Sequence, residues 1–281
     1  MITGRTTLYG VIGHPVAHSR SPAMQNAAFR ELGIDGVYVA LPVSPDQLAQ
    51  AVHGAHSLGF QGLNVTVPHK VGTLSLCVTV DSAARLIGAV NTLRRSPNGW
   101  EGFNTDAPAF LAYLEAAGAV RGKRALLIGS GGAARSAAWA LLKAGTQLRI
   151  AARRVEKGKE VAHALASVVA PAHPAPMVVS LDDLARECRE ADVVVNGTSI
   201  GLAGHEPEIP GISFRHDQLA IDWVYGDTAF ARTAKKAGAR LVTGEQLLVR
   251  QGAIAFTIWT GRPAPEPVMM AAVAANLERN P

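Results

Sequence analysis

Three apolar residues, Leu126–Ile128, run directly into Gly129-Ser130-Gly131-Gly132-Ala133-Ala134, and an alanine-rich stretch of helical length follows. A buried strand that turns on glycines into a helix gathers backbone N–H groups and the positive end of the helix dipole at one point, which suits a pyrophosphate. The spacing satisfies GxGxxA at Gly129, Gly131 and Ala134. The first glycine permits the tight turn, the second the close approach of backbone to phosphate, and the small third residue the packing of helix on strand. About 20 residues further on, a dinucleotide site for NAD would present an acid to the ribose 2′-hydroxyl. Here the second strand ends Ile150-Ala151-Ala152-Arg153-Arg154, with no acid before Glu156. Guanidinium groups pair with a 2′-phosphate through charge-assisted hydrogen bonds and offer a free diol no acceptor. The cofactor expected is therefore NADP over NAD, with Arg153 and Arg154 as phosphate ligands. Lys157 is either a third phosphate ligand or an exposed helix-face lysine.

Around this unit, short apolar runs alternate with helical stretches. Strands are expected at Leu8–Ile12, Val37–Val43, Gly62–Val67, Leu126–Ile128, Leu148–Ala151, Val193–Val195, Leu219–Val224 and Arg240–Val242. Helices are expected at Ser21–Leu32, Pro45–Leu58, Asp106–Ala117, Ala133–Ala144, Glu156–Ser167, Thr228–Ala237, Gln246–Phe256 and Val268–Leu277, and loops at Ala170–Pro176 and Gly201–Gly211. Such alternation implies an α/β fold with largely parallel sheets and crossover helices. At roughly 150 residues per domain, 281 residues that are 48% hydrophobic fit one or two domains with a sizeable core. The pattern changes near Phe103–Thr105, and the apolar helices at the end of the chain can return to the first domain. The domains expected are a discontinuous one, 1–104 with 245–281, and a cofactor domain, 105–244.

Charge and cysteine count narrow the class further. The 27 Lys and Arg against 22 Asp and Glu give +5 without basic runs, which disfavours nucleic acid and suits an anionic small molecule. Two cysteines, Cys77 and Cys188, allow neither a disulfide framework nor a CxxC-type zinc site, and no apolar stretch has the length of a signal or a membrane span. A cytoplasmic enzyme without a membrane partner is expected.

Polar groups cluster where strands end. Gly13-His14-Pro15-Val16-Ala17-His18-Ser19-Arg20-Ser21-Pro22 places two hydroxyls just before a helix; capping explains one of them, and the two together can hold a carboxylate. Gly62-Leu63-Asn64-Val65-Thr66-Val67-Pro68-His69-Lys70 ends a strand in polar side chains and a lysine, a candidate acid/base. Gly88-Ala89-Val90-Asn91-Thr92 and Gly102-Phe103-Asn104-Thr105-Asp106 add amide, hydroxyl and carboxylate groups.

Taken in order, GHPVAHSRSP, GLNVTVPHK, IGAVNT, GFNTD, GSGGAAR, NGTSIGL, IDWVY and GEQLLVRQ resemble the shikimate dehydrogenase family along nearly the whole chain. The resemblance implies a substrate domain with a parallel or mixed sheet, a doubly wound Rossmann domain for NADP, and a cleft between them. It implies the reversible reduction of 3-dehydroshikimate to shikimate with NADPH, on the route to aromatic amino acids. It assigns the substrate carboxylate to Ser19 and Ser21, the ring hydroxyls to Asn64, Thr66, Asn91, Asp106 and Gln251, and the catalytic pair to Lys70 and Asp106. Gly131, Gly132 and Ala133 map to the pyrophosphate loop, Arg153, Arg154 and Lys157 to the 2′-phosphate, and Thr198, Ser199 and Gly244 to the nicotinamide side. Tyr225 maps to the substrate cleft or to packing. No metal is expected, since hydride transfer needs none.

Departures cluster around the nicotinamide. Gln25-Asn26 stands where the family often has His-Asn, Ala152-Arg153-Arg154 replaces Asn-Arg-Thr, and Ala107-Pro108 follows the NTD motif in place of glycine. Trp223 takes the place of a smaller cofactor-contacting residue, and Leu247 that of a frequent Met. These leave two alternatives open: a paralogue acting on quinate or an aminoshikimate-type compound, and a non-catalytic NADP-binding sensor, against which the intact Lys70 and Asp106 argue. A monomer and a homodimer are equally compatible with the sequence.

Overall fold

The computed structural model describes residues 2–118, 120–168, 174–201 and 209–279. The expected loops at Ala170–Pro176 and Gly201–Gly211 lie largely outside the described residues. The chain divides into two compact units, Met1–Thr105 with Leu248–Pro281, and Asp106–Leu247.

The first unit runs β1 (Thr7–Gly13), α1 (Ser21–Glu31), β2 (Gly36–Pro42), α2 (Leu48–Ser57), β3 (Gly62–Val65), β4 (Thr79–Val80), α3 (Ser82–Ile87), β5 (Thr92–Ser96) and β6 (Gly99–Phe103). Its sheet has the order β2-β1-β3-β5-β6-β4. β1 pairs in parallel with β2 and β3, whereas β5 runs antiparallel to both β3 and β6. The sheet is therefore mixed, because β5 and β6 form a hairpin through Pro97 and Asn98 that the alternation of strand and helix does not announce. That reversal positions the polar motifs. With Asn64 opposite Thr92 and Thr92 opposite Phe103, the start of β5 and the end of β6 lie at the same edge as the end of β3.

The second unit continues with α4 (Asp106–Ala117), β7 (Arg124–Ile128), α5 (Gly132–Lys143), β8 (Gln147–Ala151), α6 (Val155–Ala164), β9 (Met177–Val179), α7 (Leu184–Glu190), β10 (Val193–Asn196), β11 (Leu219–Asp222), α8 (Ala229–Lys236) and β12 (Arg240–Val242). All its strands are parallel, in the order β12-β11-β10-β7-β8-β9. Numbered within the unit this is 6-5-4-1-2-3, the doubly wound order, with the direction of winding reversing between β7 and β10. The short β9 and α7 escape the sequence pattern.

The period of two along these strands decides which residue meets which helix layer. Leu127, Val193 and Val195 pack with Phe110 and Leu114 of α4, Ala137 and Leu141 of α5 and Val161 of α6. Their neighbours Leu126, Ile128 and Val194 face Leu184 and Cys188 of α7 and Phe230 and Ala234 of α8. After β12 the chain forms α9 (Gly244–Thr260) and α10 (Glu266–Arg279). From Leu248 onward these belong to the first unit, where Val249, Ala253, Phe256, Met269 and Val273 pack on Met24, Ala28 and Phe29 of α1 and Tyr9 and Val11 of β1. The opposite face of that sheet is covered by Val52 and Ala55 of α2 and Ala84 of α3 around Leu63, Leu93 and Trp100. No helix among the described residues is long and apolar enough to cross a membrane.

Candidate active site

In the first unit, hydrogen bonds join Asn64 to Asn91 and Asn91 to Gln251, and Asn64 to Tyr38 of β2, while Thr66 and Lys70 follow in the segment after β3. Asn64 is buried at the end of β3; its Nδ2 donates to Asn91 O at 3.3 Å and Thr92 Oγ1 at 3.1 Å, and its Oδ1 accepts from Tyr38 Oη at 2.7 Å. Asn91 Nδ2 donates to Thr105 Oγ1 at 2.9 Å and Gln251 Oε1 at 3.4 Å, while its Oδ1 accepts from Thr105 N at 2.7 Å. The side-chain amides of Asn64 at the end of β3, Asn91 just before β5 and Gln251 of α9 are thus held in orientation by one hydrogen-bond network.

Ser21 opens α1 with Pro22 in its first turn, and Ser19 Oγ accepts from Ser21 N at 3.3 Å. The N-cap position of α1 is Arg20, with no side-chain cap, so neither serine caps the helix as the sequence suggests for one of them; the Ser21 side chain is bonded to the Tyr38 phenol. Burial pushes the phenol well above its ordinary pKa, so Tyr38 remains a donor to Asn64. Asn26 of α1 mimics a strand neighbour, donating to Tyr38 O and accepting from Tyr38 N at 2.8 and 2.9 Å, and Gln25 Nε2 donates to Gly252 O at 3.0 Å. The Gln25-Asn26 departure therefore ties α1 to β2 and α9. Thr66 is half-buried, with its N–H donating to Ile12 O at 2.9 Å. Lys70 is 9% exposed, in the segment after β3 where His69 bonds Val43 O. A lysine so covered is not a solvated surface charge.

In the second unit, the expected residues lie at the carboxyl ends of the parallel strands, where ligands of such sheets bind. Gly129 follows β7 with φ +115°, and a Cβ there would lie 3.0 Å from Gly197 O, so both backbone conformation and space demand glycine. Gly131 is the N-cap of α5, without a side-chain cap and with nothing within 4 Å of a built Cβ. Gly132 and Ala133 open that helix without an acidic residue in its first turn. The open cradle with unopposed helix N–H groups fits a pyrophosphate. Arg153 and Arg154 are exposed just past β8, and Lys157 lies in the first turn of α6, paired with Glu160 at 2.8 Å.

After β10, Asn196 Oδ1 accepts from Thr198 N at 3.1 Å and Thr198 Oγ1 at 2.7 Å, leaving Ser199 exposed. Asn196 Nδ2 donates to Asp222 Oδ1 at 2.9 Å, which also accepts from Val224 N at 3.0 Å, and Thr228 Oγ1 donates to Asp222 Oδ2. Desolvation raises the Asp222 carboxyl to a pKa of about 6, against the opposing effect of those hydrogen bonds. Trp223 stacks on Phe110 with ring centroids 5.2 Å apart, Tyr225 is half-buried, and Leu247 is packed in the apolar core. A Cβ on Gly244 would lie 2.5 Å from Val224 O, so the turn after β11 rests directly on this glycine. Asp106, 3% exposed, is the first residue of α4. Tyr38, Thr105, Asn196 and Asp222 carry much of this organisation and were not singled out from the sequence. A polar side chain within or at the end of an apolar strand is the only signal they leave.

Models of three family segments match: the shikimate dehydrogenase substrate binding domain at residues 11–93, shikimate / quinate 5-dehydrogenase at 112–203, and the shikimate 5′-dehydrogenase C-terminal domain at 244–274. A shikimate dehydrogenase (NADP(+)) of Anaeromyxobacter sp. (strain K) is 62% identical over 275 residues, 98% of each chain. The chain belongs to the shikimate dehydrogenase family. Among solved members, a shikimate dehydrogenase in complex with NADP+ is 37% identical with a TM-score of 0.89, covering 99% of this chain and 98% of its own. Another, from Thermus thermophilus in complex with NADP(H) and shikimate, is 35% identical with a TM-score of 0.82, over 96% and 99%. The α/β architecture with an N-terminal substrate domain and an NADP-binding domain is that of the shikimate dehydrogenases.

Proposed function

We propose that the chain catalyses the reversible reduction of 3-dehydroshikimate to shikimate with NADPH, in aromatic amino acid biosynthesis, and that Lys70 and Asp106 are its catalytic pair. The observation that carries the activity is the 62% identity along 98% of the chain to a shikimate dehydrogenase (NADP(+)). The residues present fit the cofactor: a glycine cradle at the head of α5 for the pyrophosphate, and Arg153, Arg154 and Lys157 for the 2′-phosphate. NADPH, when bound, supplies the hydride.

The chain's own residues supply binding, orientation and the proton. Ser19 and Ser21 hold the substrate carboxylate, Thr66 reads a ring hydroxyl, and Asn64, Asn91 and Gln251 read the others from a network that is already hydrogen-bonded. Negative charge grows on the ketone oxygen as it is reduced, and the Lys70 ammonium donates a proton to it. Asp106 orients that ammonium and binds a ring hydroxyl; in the oxidation direction the deprotonated member of the pair accepts the hydroxyl proton. Thr198, Ser199, Trp223, Tyr225, Gly244 and Leu247 form the nicotinamide side, with Tyr225 also reaching substrate. The setting is cytoplasmic, the partner a small molecule, and the assembly a monomer or homodimer.

Lys70→Ala tests the assignment. It should lower kcat by about 10²- to 10⁴-fold while shikimate, measured by calorimetric titration, still binds. Unchanged turnover would remove Lys70 from the mechanism.

A further inference from the structure

A carboxylate sits among the cations assigned to the 2′-phosphate. Both oxygens of Glu160, one turn along α6, accept from Lys157 Nζ, at 2.8 and 2.9 Å. Arg135 Nη2 approaches the same carboxylate at 4.0 Å from a different helix, α5, four residues after the Gly131 cap. The Lys157 hydrogen bond, with the charges of Lys157, Arg135 and Arg154, holds the Glu160 carboxyl below its usual range. An ordinary i,i+3 surface pair explains Lys157 but not Arg135, whose side chain is only 15% exposed while that of Glu160 is half exposed. Lys157 of α6 and Arg135 of α5 thus flank one anionic group, in the helix that follows the end of β8, where the second strand of a doubly wound sheet meets the adenosine ribose.

We propose that Glu160 competes with the cofactor's 2′-phosphate for these cations, so that Glu160 and Arg135 together set how strongly the chain prefers NADP over NAD. This rests on the reading of Arg153, Arg154 and Lys157 as the 2′-phosphate ligands. A dianionic phosphate must share or take over Lys157, and it meets the repulsion of the Glu160 charge. An exposed ion pair contributes little to folding, so removing Glu160 costs the fold little and leaves the phosphate more positive surroundings. A 2′-hydroxyl carries no charge and is indifferent to the change.

Calorimetric titration of the full chain with 2′,5′-ADP, which is adenosine 2′,5′-bisphosphate, and with 5′-AMP isolates the 2′-phosphate, since the two probes share every other group. The wild type should prefer 2′,5′-ADP. Glu160→Gln should raise that preference about three- to tenfold, with the gain shrinking as salt rises from about 0.05 to 0.5 M. Glu160→Asp, which keeps the charge, should stay near wild type, and Arg135→Gln should lower the preference. A wild type that binds both probes equally would overturn the 2′-phosphate reading and this proposal together. A wild-type preference that Glu160→Gln leaves unchanged or reduces would overturn the role of Glu160 alone.

Discussion

At the residue scale, Asp222 has the clearest consequence for pH. Its pKa of about 6 exceeds the ordinary 3.8, so the native state holds the proton more tightly than the unfolded chain. Its neutral form therefore favours the fold fully below about pH 4, and that contribution is lost as pH rises through about 6. Between pH 5 and 8 the wild type should lose about 1 kcal/mol relative to Asp222→Asn, read as urea midpoints at both pH values. Equal pH dependence for the two proteins would show that Asp222 ionises without penalty. This residue was hidden in the sequence because IDWVY reads as a strand end, and nothing in that string shows that Asn196, Val224 and Thr228 converge on the acid. Tyr38 was hidden likewise, as one aromatic in an apolar strand. Ser19, Asn64 and Lys70 stand out in the sequence because polar side chains interrupt apolar runs where a parallel strand ends, and their roles in the site remain part of the proposal.

At the element scale, the strand–glycine–helix unit could be read directly, since its demands are local. Gly129 alone accommodates φ +115° beside Gly197 O, so Gly129→Ala should cost about 1–3 kcal/mol and weaken NADP, measured by thermal unfolding and titration. The β5–β6 hairpin leaves no strand pattern in the sequence, although Pro97-Asn98-Gly99 is turn chemistry. Its strands are charged, with Arg94 paired to Glu101 at 2.7 Å and lying 5.2 Å from the centroid of the Phe103 ring. Polar cross-strand pairs replace the apolar alternation by which strands are recognised. The same hairpin brings Asn91 and Thr105 beside Asn64, so the element hardest to read from sequence organises the hydrogen-bonded amide cluster at the end of β3. In α9, Phe256 is fully buried against Phe29, and Phe256→Ala should cost about 3–5 kcal/mol in a urea titration.

For the whole molecule, the alternation of strands and helices conveyed the α/β class, and the returning C-terminal helices are seen in α9 and α10 packing on α1 and β1. The pairing order within each sheet was not legible, because crossovers are set by contacts distant in sequence. A ligand that binds only the folded state stabilises by mass action. At 100 times its dissociation constant NADP should therefore add about 2.7 kcal/mol, seen as a raised unfolding temperature that an equal concentration of NAD does not match. The central claim is that this chain turns over shikimate with NADP. Initial rates of oxidation of shikimate or quinate, each with NADP or NAD, test it in one set of four assays. Dominant turnover of shikimate with NADP is the result predicted. A preference for quinate, or for NAD, would contradict it.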